Sequence, residues 1–273
     1  MCLGHHENSF WPKCSGLPAS KGTILSRTVS VVVPCFNEHE VIASTHAEVD
    51  RCLGKSQNFD FEFIYVDDGS RDGTSDILRD IRKRDPRVKL IRFSRNFGHQ
   101  AAVSAGIDHA FSDAVAIMDA DLQDPPEALL AMLGKWREGF EVVYGVRRNR
   151  KEGLFKRACY RIFYRVWQRM ADIEVPVDSG DFCVMDRQVA EVLRDLPENA
   201  RFLRGLRAWA GFRQLGYPYE RAERHAGEPK YSFVRLVRLA ANGIFNFSDV
   251  PLPRATICCR FWTISGLNSC VTT

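Results

Sequence analysis

The sequence predicts an α/β protein with a doubly wound, mostly parallel sheet, followed by C-terminal basic amphipathic helices suited to an interface. Two observations support this fold class. Between residues 29 and 145, short apolar runs typical of buried strands alternate with stretches of helical length and periodicity. After residue 150, apolar stripes at helical spacing are flanked by Lys and Arg. With 273 residues, 45% of them hydrophobic, the chain is long enough to bury a sizeable core.

The predicted elements alternate along the first half of the chain. Strands are expected at residues 29–34, 61–70, 88–93, 114–118 and 141–145, with a later one at 182–185. Helices are expected at residues 38–52, 74–84, 98–111 and 126–138. The third helix is rich in Ala and Gly, which indicates close packing on its neighbours. Strands separated by helices at this spacing favour parallel pairing, because the helix returns the chain to the same end of the sheet.

Charge divides the chain into an acidic half and a basic half. Residues 1–146 carry 16 Lys and Arg against 21 Asp and Glu, whereas residues 147–273 carry 22 against 13. The basic half should therefore face phosphates, nucleic acid or a membrane surface. The predicted organisation is a loose tail at 1–28, a ligand-binding core at 29–150, an acceptor and interface part of the same domain at 151–250, and an atypical tail at 251–273.

The cysteine pattern favours a reducing compartment, and the hydropathy predicts neither a membrane span nor a signal peptide. The nine cysteines form no CxxC pair and no Cys/His ligand spacing, which argues against a zinc site. No apolar stretch is long and uninterrupted enough to span a bilayer, and polar residues break the C-terminal one. The N-terminus lacks the basic start and apolar core of a signal peptide. A cytoplasmic setting is therefore the simplest interpretation.

The segment AVAIMDADLQDPPE, residues 114–127, is the chemical centre of the sequence. A short buried strand is followed by a cluster of oxygen ligands and then by two prolines that start a helix. The cluster comprises Asp119, Asp121, Gln123 and Asp124. Such hard oxygen donors suit Mg²⁺ or Mn²⁺, which also take waters and substrate phosphates as ligands. The alternative is an ordinary strand-to-helix loop in which an Asp caps the helix.

The residues at the other strand ends limit the class of ligand, because ligands of doubly wound sheets bind beyond the carboxyl ends of the strands. Neither GxGxxG after the first strand nor a P-loop is present. Phe36 could stack on a base, and Glu38 or Asp68 could accept hydrogen bonds from a base or a ribose. The alternatives are that Phe36 belongs to the core and that Asp67 and Asp72 serve turns. Together with a metal-bound diphosphate, these groups indicate a nucleotide-diphosphate conjugate.

The stretch from Gly153 to Ala171 has an apolar stripe at helical spacing with flanking arginines. Between residues 147 and 169 there are nine Lys and Arg and one Glu. This pattern is typical of a helix lying in an anionic membrane interface. The predicted interface residues are Phe155, Arg157, Arg161, Phe163, Arg165 and Trp167. A core-facing helix with a basic outer face is the alternative. Residues 230–247 repeat the pattern, and a nucleic-acid partner is disfavoured because the aromatic residues lie on the aliphatic stripe.

Four motifs, in order and spacing, carry a family resemblance: VVVPCFNE, YVDDGSRDGT, RNFGHQAAVSAGIDHA and MDADLQDPPE. The sequence resembles the inverting family-2 glycosyltransferases with the GT-A fold. Within them it looks like the polyprenyl-phosphate glycosyltransferases, which include dolichyl-phosphate mannose synthase and the bacterial undecaprenyl-phosphate glucosyltransferases. The resemblance runs from about residue 29 to about residue 251. The relatives carry transmembrane helices after this region, which residues 251–273 do not supply, so we expect a peripheral protein at the cytoplasmic face.

The resemblance implies roles for individual residues. It places nucleotide-sugar contacts on Pro34, Phe36, Glu38, Val66, Asp68, Asp119, Ala120, Arg147, Arg224 and Lys230. It places the metal on Asp121 and Gln123. The residues assigned to catalysis are Asp119, Asp121, Arg147, Asp178 and Asp181. The last two are expected to position the sugar or the acceptor, and the alternative is that they form a turn before the strand at 182–185.

The expected reaction is metal-dependent transfer of a hexose from a nucleotide sugar to a polyprenyl phosphate. UDP-glucose is the favoured donor and GDP-mannose the second candidate, with Mg²⁺ or Mn²⁺ as cofactor and an anionic membrane surface as partner. A phosphate acceptor is already ionised at neutral pH, since its second pKa is about 6, and so requires no general base. The alternatives are transfer to a soluble or polysaccharide acceptor and a non-catalytic nucleotide-sugar-binding peripheral membrane protein. A homo-oligomer is a further expected partner state.

Overall fold

The computed structural model describes residues 26–148, 179–197 and 201–221. The strands in these ranges are β1 (Arg27–Cys35), β2 (Phe59–Asp67), β3 (Val88–Arg92), β4 (Ala114–Ile117), β5 (Val142–Arg148), β6 (Ser179–Asp186) and β7 (Gln214–Glu220). The helices are α1 (Ile42–Leu53), α2 (Thr74–Arg84), α3 (His99–Asp108), α4 (Pro126–Arg137), α5 (Arg187–Asp195) and α6 (Leu203–Trp209).

The strands form one seven-stranded sheet in the order β3-β2-β1-β4-β6-β5-β7. Strand β1 pairs in parallel with β2 and β4, β2 with β3, and β5 with β7. Only β6, among the described strands, runs antiparallel to its neighbours β4 and β5. The predicted doubly wound, mostly parallel sheet is confirmed. Because β6 is reversed, its first residues lie at the edge where the other strands end.

Both faces of the sheet are covered by helices. On β1, Val29, Val31 and Val33 belong to one buried cluster, and Val32 points into the other. The first cluster includes apolar residues of α1, α2 and α4, and the second includes those of α3, α5 and α6. Each fully buried aliphatic side chain contributes about 1.5–3 kcal/mol relative to an exposed one. Burial on both faces explains why the strand sequences are continuously apolar rather than alternating.

Helix α3 packs on the sheet at very short range, as its small residues predict. A Cβ added to Gly106 would lie 2.1 Å from Cγ1 of Val32 on β1. That separation is far shorter than any van der Waals contact, so only glycine fits here. The close approach fixes α3, whose first residue is His99, against the centre of the sheet.

Several boundaries differ by a few residues from the predicted ones, and two of these differences affect predicted site residues. Helix α1 begins at Ile42 rather than at residue 38, because Glu38 and its neighbours form a turn in which the Glu38 carbonyl accepts from the amides of Val41 and Ile42. Strand β6 begins at Ser179, paired with Val146 of β5, so Asp181 lies within the strand and not in a turn before residue 182.

The topology predicts a ligand crevice at the carboxyl ends of β1 and β4. In the sheet, β1 lies between β2 and β4, so the chain leaves β1 toward β2 on one side and later reaches β4 on the other side. The direction of the connections therefore changes between β1 and β4. In open α/β sheets such a switch point at the carboxyl edge is where ligands bind. The acidic segment after β4 lies directly at this point. Within the described ranges, no helix is both long enough and apolar enough to cross a membrane.

Candidate active site

The loops after β1 and β2 are joined by hydrogen bonds between side chains and backbone. The amide of Asn37 donates to Oγ of Ser70 over 3.0 Å, and Oδ1 of Asn37 accepts from the amide of Arg71 over 3.1 Å. The amide of Glu38 donates to Oγ1 of Thr74 over 2.9 Å. Asn37 has a φ of 53°, a left-handed conformation that Asn tolerates better than most residues. These bonds fix the backbone on either side of Phe36 and Glu38, two predicted nucleotide contacts, both half-buried.

Asp68, a predicted base or ribose contact, joins the loop after β3 to this group. Its carboxylate accepts from the amide of Phe97 over 2.7 Å and from the amide of Gly98 over 2.9 Å. Burial raises the pKa of Asp68 against the opposing effect of these two bonds. A Cβ on the neighbouring Gly69 would lie 2.4 Å from the backbone carbon of Arg95, so the two loops are in direct contact. Asp68 therefore shapes the crevice whether or not it also meets a ligand.

Three other predicted nucleotide contacts lie in the core. Pro34 and Val66 are register partners on β1 and β2, and both side chains are buried. Ala120 is buried as well, and its carbonyl accepts from Oγ1 of Thr45 over 2.7 Å. A ligand in the crevice would meet these residues mainly through their backbone. Asp67 and Asp72 serve turns, accepting from the amides of Ser70 and Thr74 respectively.

The acidic segment contains a strained residue between its two predicted metal ligands. Leu122 has a φ of 55°, which is uncommon for a non-glycine residue and costs about 1–3 kcal/mol. Oδ1 of Asp121 accepts from the amide of Gln123 over 3.1 Å, which closes a tight turn around it. Asp121 is buried, whereas a third of the Asp119 side chain is exposed to the crevice. The strain orients Asp121 and Gln123 and is typical of a functional loop.

The donor set fits a divalent cation only if other ligands contribute. No group of three or more His, Cys, Asp or Glu side chains in the described residues is arranged to hold a metal ion. Asp121 and Gln123 supply two oxygen-bearing side chains on one turn. Mg²⁺ in particular is usually bound by one or two carboxylates, with waters and substrate phosphates completing its shell. The segment therefore fits a cation that arrives with a diphosphate rather than a cation held by protein alone.

Asp124 is the buried centre of a second group of polar side chains. The hydroxyl of Tyr219 donates to its Oδ1 over 2.5 Å. Burial, followed by the charge of Asp119, raises the pKa of the Asp124 carboxyl to about 6. Arg147 also hydrogen-bonds Tyr219, because these two residues are register partners on the parallel strands β5 and β7. Three distant parts of the sequence are thus joined beside the acidic segment.

Arg147 and Arg221 bring positive charge to this group. Nη2 of Arg221 lies 3.6 Å from Oδ2 of Asp119, and its Nε lies 4.0 Å from Oδ1 of Asp124. The charges of Asp124 and Asp119 also act on Arg147. The group therefore joins two arginines to two carboxylates beside the acidic turn.

Asp181 lies at the start of β6 in a third group. Its Oδ1 accepts from Nε of Arg204 over 2.8 Å, and its Oδ2 accepts from Nε2 of Gln100 over 3.0 Å. Nε2 of His99 lies 3.2 Å from the same Oδ2. Although burial favours the neutral acid, the charges of Arg204 and His99 hold the pKa of Asp181 well below its usual range. Burial likewise opposes charge on His99, yet the bond to Asp181 and the charge of Asp119 raise the pKa of His99 to about 9.

Sequence reasoning missed four residues that the fold brings to this edge. Tyr219 lies on β7 and Arg221 directly follows its last residue, Glu220, so the period of two along a strand was the available signal. His99 was expected in a strand-end loop of the crevice, but no role was assigned to it. Arg204 carried no signal, because its role depends on the antiparallel course of β6, which places Asp181 opposite α6.

Several predicted residues lie outside the described residues. These are Asp178, Arg224 and Lys230 of the site and Phe155, Arg157, Arg161, Phe163, Arg165 and Trp167 of the interface. Their assigned roles stay predictions.

A doubly wound sheet with an acidic turn after β4 and arginines beside that turn is the arrangement expected of a glycosyltransferase of the GT-A type. Comparison with known proteins agrees. The model of the family "Glycosyl transferase family 2" matches residues 30–194. The chain belongs to this family.

Curated relatives extend the match beyond the family domain. The chain is 46% identical over 228 residues to an uncharacterized glycosyltransferase, YkcC, of Bacillus subtilis, covering 83% of this chain and 70% of the relative. It is 37% identical over 240 residues to the bactoprenol glucosyl transferase of Shigella phage SfV, covering 88% of this chain and 76% of the relative. Among solved structures, the fold is similar to mannosyltransferase PcManGT from Pyrobaculum calidifontis in complex with GDP-Man and Mn²⁺. There the TM-score is 0.52 at 21% identity, covering 79% of this chain and 61% of that one.

Proposed function

We propose that this glycosyltransferase transfers glucose from UDP-glucose to a polyprenyl phosphate in a metal-dependent, inverting reaction at the cytoplasmic face of a membrane. The observation that carries the proposal is the similarity to the bactoprenol glucosyl transferase, which extends over 88% of this chain. A match of that extent necessarily includes the basic stretch between residues 147 and 169 as well as the donor crevice. Both the donor and the acceptor halves therefore have counterparts in that relative.

The crevice supports a nucleotide-sugar donor. Transfer develops negative charge on the departing nucleoside diphosphate, and Arg147 and Arg221, beside the carboxylates of the acidic turn, are the cations that we expect to stabilise it. Fixed cations in a crevice with little water stabilise such charge strongly and need no reorganisation during the reaction. GDP-mannose is the second candidate donor, since the structural neighbour from Pyrobaculum holds that nucleotide sugar.

Asp121 and Gln123 would hold the divalent cation. When bound, Mg²⁺ or Mn²⁺ supplies Lewis-acid stabilisation of the diphosphate. The chain's own contribution is the strained turn at Leu122, which keeps Asp121 and Gln123 oriented before the donor arrives. Asp119, which is partly exposed at the same turn, would contact the ribose and the diphosphate, as the family resemblance implies.

A panel assay tests the proposal. Purified full chain is incubated with undecaprenyl phosphate in detergent, Mg²⁺ or Mn²⁺, and each of several nucleotide sugars. We expect a lipid-linked hexose with UDP-glucose as the best donor and no product in the presence of a chelator. Transfer to a soluble or polysaccharide acceptor, with none to the lipid, would overturn the assignment of the acceptor. If GDP-mannose is the best donor, the assignment of the donor is wrong and the assignment of the acceptor stands.

The membrane part of the proposal rests on the basic amphipathic stretch, which lies outside the described residues. Replacing Arg157, Arg161 and Arg165 with Glu should release the full chain from anionic liposomes, because each basic residue near such a surface contributes about 1 kcal/mol. Co-sedimentation measures this. Replacement of Arg79, Arg82 and Arg84 on α2 with Glu makes the same change of charge elsewhere and is the matched control. Equal binding of the first variant and the wild type would contradict an interface helix.

A further inference from the structure

The hydroxyl of Tyr219 on β7 lies between two charged groups of the site. The side chain is 5% exposed, and its hydroxyl donates to Oδ1 of Asp124 over 2.5 Å. The guanidinium of Arg147 donates to the same hydroxyl. A tyrosine hydroxyl has one proton to donate and lone pairs with which to accept. Because the proton is directed at Asp124, a lone pair faces Arg147, and the two hydrogen bonds fix each other's direction.

The hydroxyl keeps its proton in this position. Burial, followed by the charge of Asp124, raises the pKa of Tyr219 well above its usual range, against the opposing effect of the bond from Arg147. The link from Arg147 to Asp124 therefore runs through a neutral hydroxyl that accepts from a cation and donates to an anion. Hydrogen bonds to charged partners are the stronger kind, and bonds in such a chain polarise one another.

Packing fixes the ring of Tyr219 as firmly as the hydrogen bonds fix its hydroxyl. The ring meets the buried ring of Phe182 edge to face, with centroids 5.2 Å apart and planes at 62°. A Cβ on Gly145 would lie 2.6 Å from Cε1 of Tyr219 and 2.8 Å from Cδ1 of Phe182. Any other residue at position 145 would have to displace one of two buried rings. The strand that carries Arg147 thus has a glycine where the ring of Tyr219 needs the space.

Arg147 is aligned from both neighbouring strands. Strand β5 lies between β6 and β7, and Arg147 is the register partner of Tyr219 on β7. On the other side, a Cβ on Gly180 of β6 would lie 3.4 Å from Nη2 of Arg147. An arginine side chain carries about 2 kcal/mol of rotamer entropy. Contacts that restrict it before a ligand arrives reduce the cost of ordering it on binding.

Satisfying a buried carboxylate does not account for the whole arrangement. Asp124 is 1% exposed, and the proton of Tyr219 supplies the hydrogen bond that such a group requires. Nε of Arg221 lies 4.0 Å from the same oxygen and brings positive charge to it. Neither requirement involves Arg147. The additional bond from Arg147 to the hydroxyl is explained if the direction of this guanidinium matters.

We propose that Tyr219 is a positioning residue, which holds Arg147 in the orientation in which it meets the diphosphate of the donor. This inference rests on the proposed function. When the bond from the anomeric carbon to the diphosphate breaks, its electron pair stays with the nucleoside diphosphate. A guanidinium that is already aligned stabilises this charge without reorganisation during the reaction. Tyr219 is buried and acts through Arg147.

A double-mutant cycle separates positioning from a purely structural role. We would measure kcat and both KM values in full-length wild type, Tyr219→Phe, Arg147→Ala and the double variant. Tyr219→Phe should lower kcat about tenfold and leave the acceptor KM within about twofold, because it removes a charge-assisted hydrogen bond to a group that acts on the leaving diphosphate. In the Arg147→Ala background the same substitution should change kcat by less than about twofold, since no guanidinium remains to be aligned. Tyr217→Phe, on a less buried tyrosine of β7, is the matched control.

Stability and direct binding complete the test. Thermal unfolding identifies variants that do not fold. If Tyr219→Phe fails, Phe182→Leu carries the test, because it removes the ring contact and keeps the hydroxyl. We expect it to lower kcat about threefold, and again only where Arg147 is present. Calorimetry with UDP or GDP and Mn²⁺ measures diphosphate binding without turnover. Weaker binding in Tyr219→Phe that depends on Arg147, in a wild type that transfers no sugar, would support the inference and overturn the proposed function.

Three results would overturn the inference. The first is an unchanged kcat in Tyr219→Phe of a wild type that transfers glucose, which leaves the proposed function intact. The second is an equal loss of kcat from Tyr219→Phe with and without Arg147, which indicates a structural role. The third is a wild type that binds neither UDP nor GDP, which overturns the proposed function as well.

Discussion

The two ends of the sheet's carboxyl edge are built differently. At the β1–β3 end, the loops are held by backbone amides that donate to Ser, Thr, Asn and Asp side chains. At the β4–β7 end, carboxylates and arginines meet directly. The first end is therefore held mainly by backbone amides, and the second by charged side chains. Under the proposed function, the base and ribose would bind at the first end and the diphosphate at the second.

The largest expected effect is the loss of transfer activity when the acidic turn after β4 is altered. Asp121→Ala removes a carboxylate from the turn that would hold the cation, so metal-dependent transfer should fall at least about a hundredfold. Turnover and Mn²⁺ binding in the presence of nucleotide, followed by electron paramagnetic resonance, measure this. Asp76→Ala, an exposed carboxylate on α2, is the control. Unchanged turnover, or unchanged Mn²⁺ binding, would show that the metal is held elsewhere.

At the charged end, Tyr219→Phe tests the burial of Asp124. The substitution removes the hydroxyl that donates over 2.5 Å and leaves the carboxyl without that partner. We expect a loss of about 1–3 kcal/mol in the free energy of unfolding, measured by urea denaturation. Tyr217→Phe makes the same chemical change on a less buried tyrosine of the same strand. Equal losses of free energy in the two variants would show that the hydrogen bond to Asp124 contributes no more to stability than the hydroxyl of Tyr217 does.

At the scaffold end, Asp68→Asn tests the junction of the loops after β2 and β3. An amide has only one oxygen, so one of the two bonds from Phe97 and Gly98 is lost. The expected cost is about 1 kcal/mol, together with weaker nucleotide binding, because the crevice wall loosens. Asp76→Asn is the matched surface change. Full retention of stability and of nucleotide affinity would mean that backbone packing around Gly69 alone fixes these loops.

The contrast between the two ends also explains what the sequence could predict. Strand and helix periodicity predicted the sheet, and the residue types after β4 predicted the acidic turn. The group around Asp181 could not be predicted, because it depends on β6 running antiparallel, which local periodicity does not report. The contact between Tyr219 and Asp124 depends on the register of β5 and β7, which is set by packing of non-local strands. The residue types of the strand-end loops are visible in short motifs, whereas the contacts that join these loops, like those of the charged site, link distant segments.

The smallest expected effect is a pH dependence of stability that comes from the charged end. His99 faces Asp181 from β6, Asp119 and Asp68 from the strand-end loops, and Arg204 from α6. Its pKa is raised to about 9 in the folded chain from an ordinary value of 6.5. Between these two values the folded chain holds a proton that the unfolded chain has released. The stabilisation is therefore complete below pH 6.5 and is lost as the pH rises through about 9.

Urea denaturation of wild type and His99→Gln across pH 6 to 10 isolates this contribution, since other titrating groups cancel in the difference. The free energy of unfolding of wild type should decline relative to the variant by at most ~1.4 kcal/mol per pH unit in that window, which corresponds to one proton. A difference that stays flat would show that folding does not raise the pKa of His99. In that case the contrast between the two ends of the sheet would rest on the arginines alone.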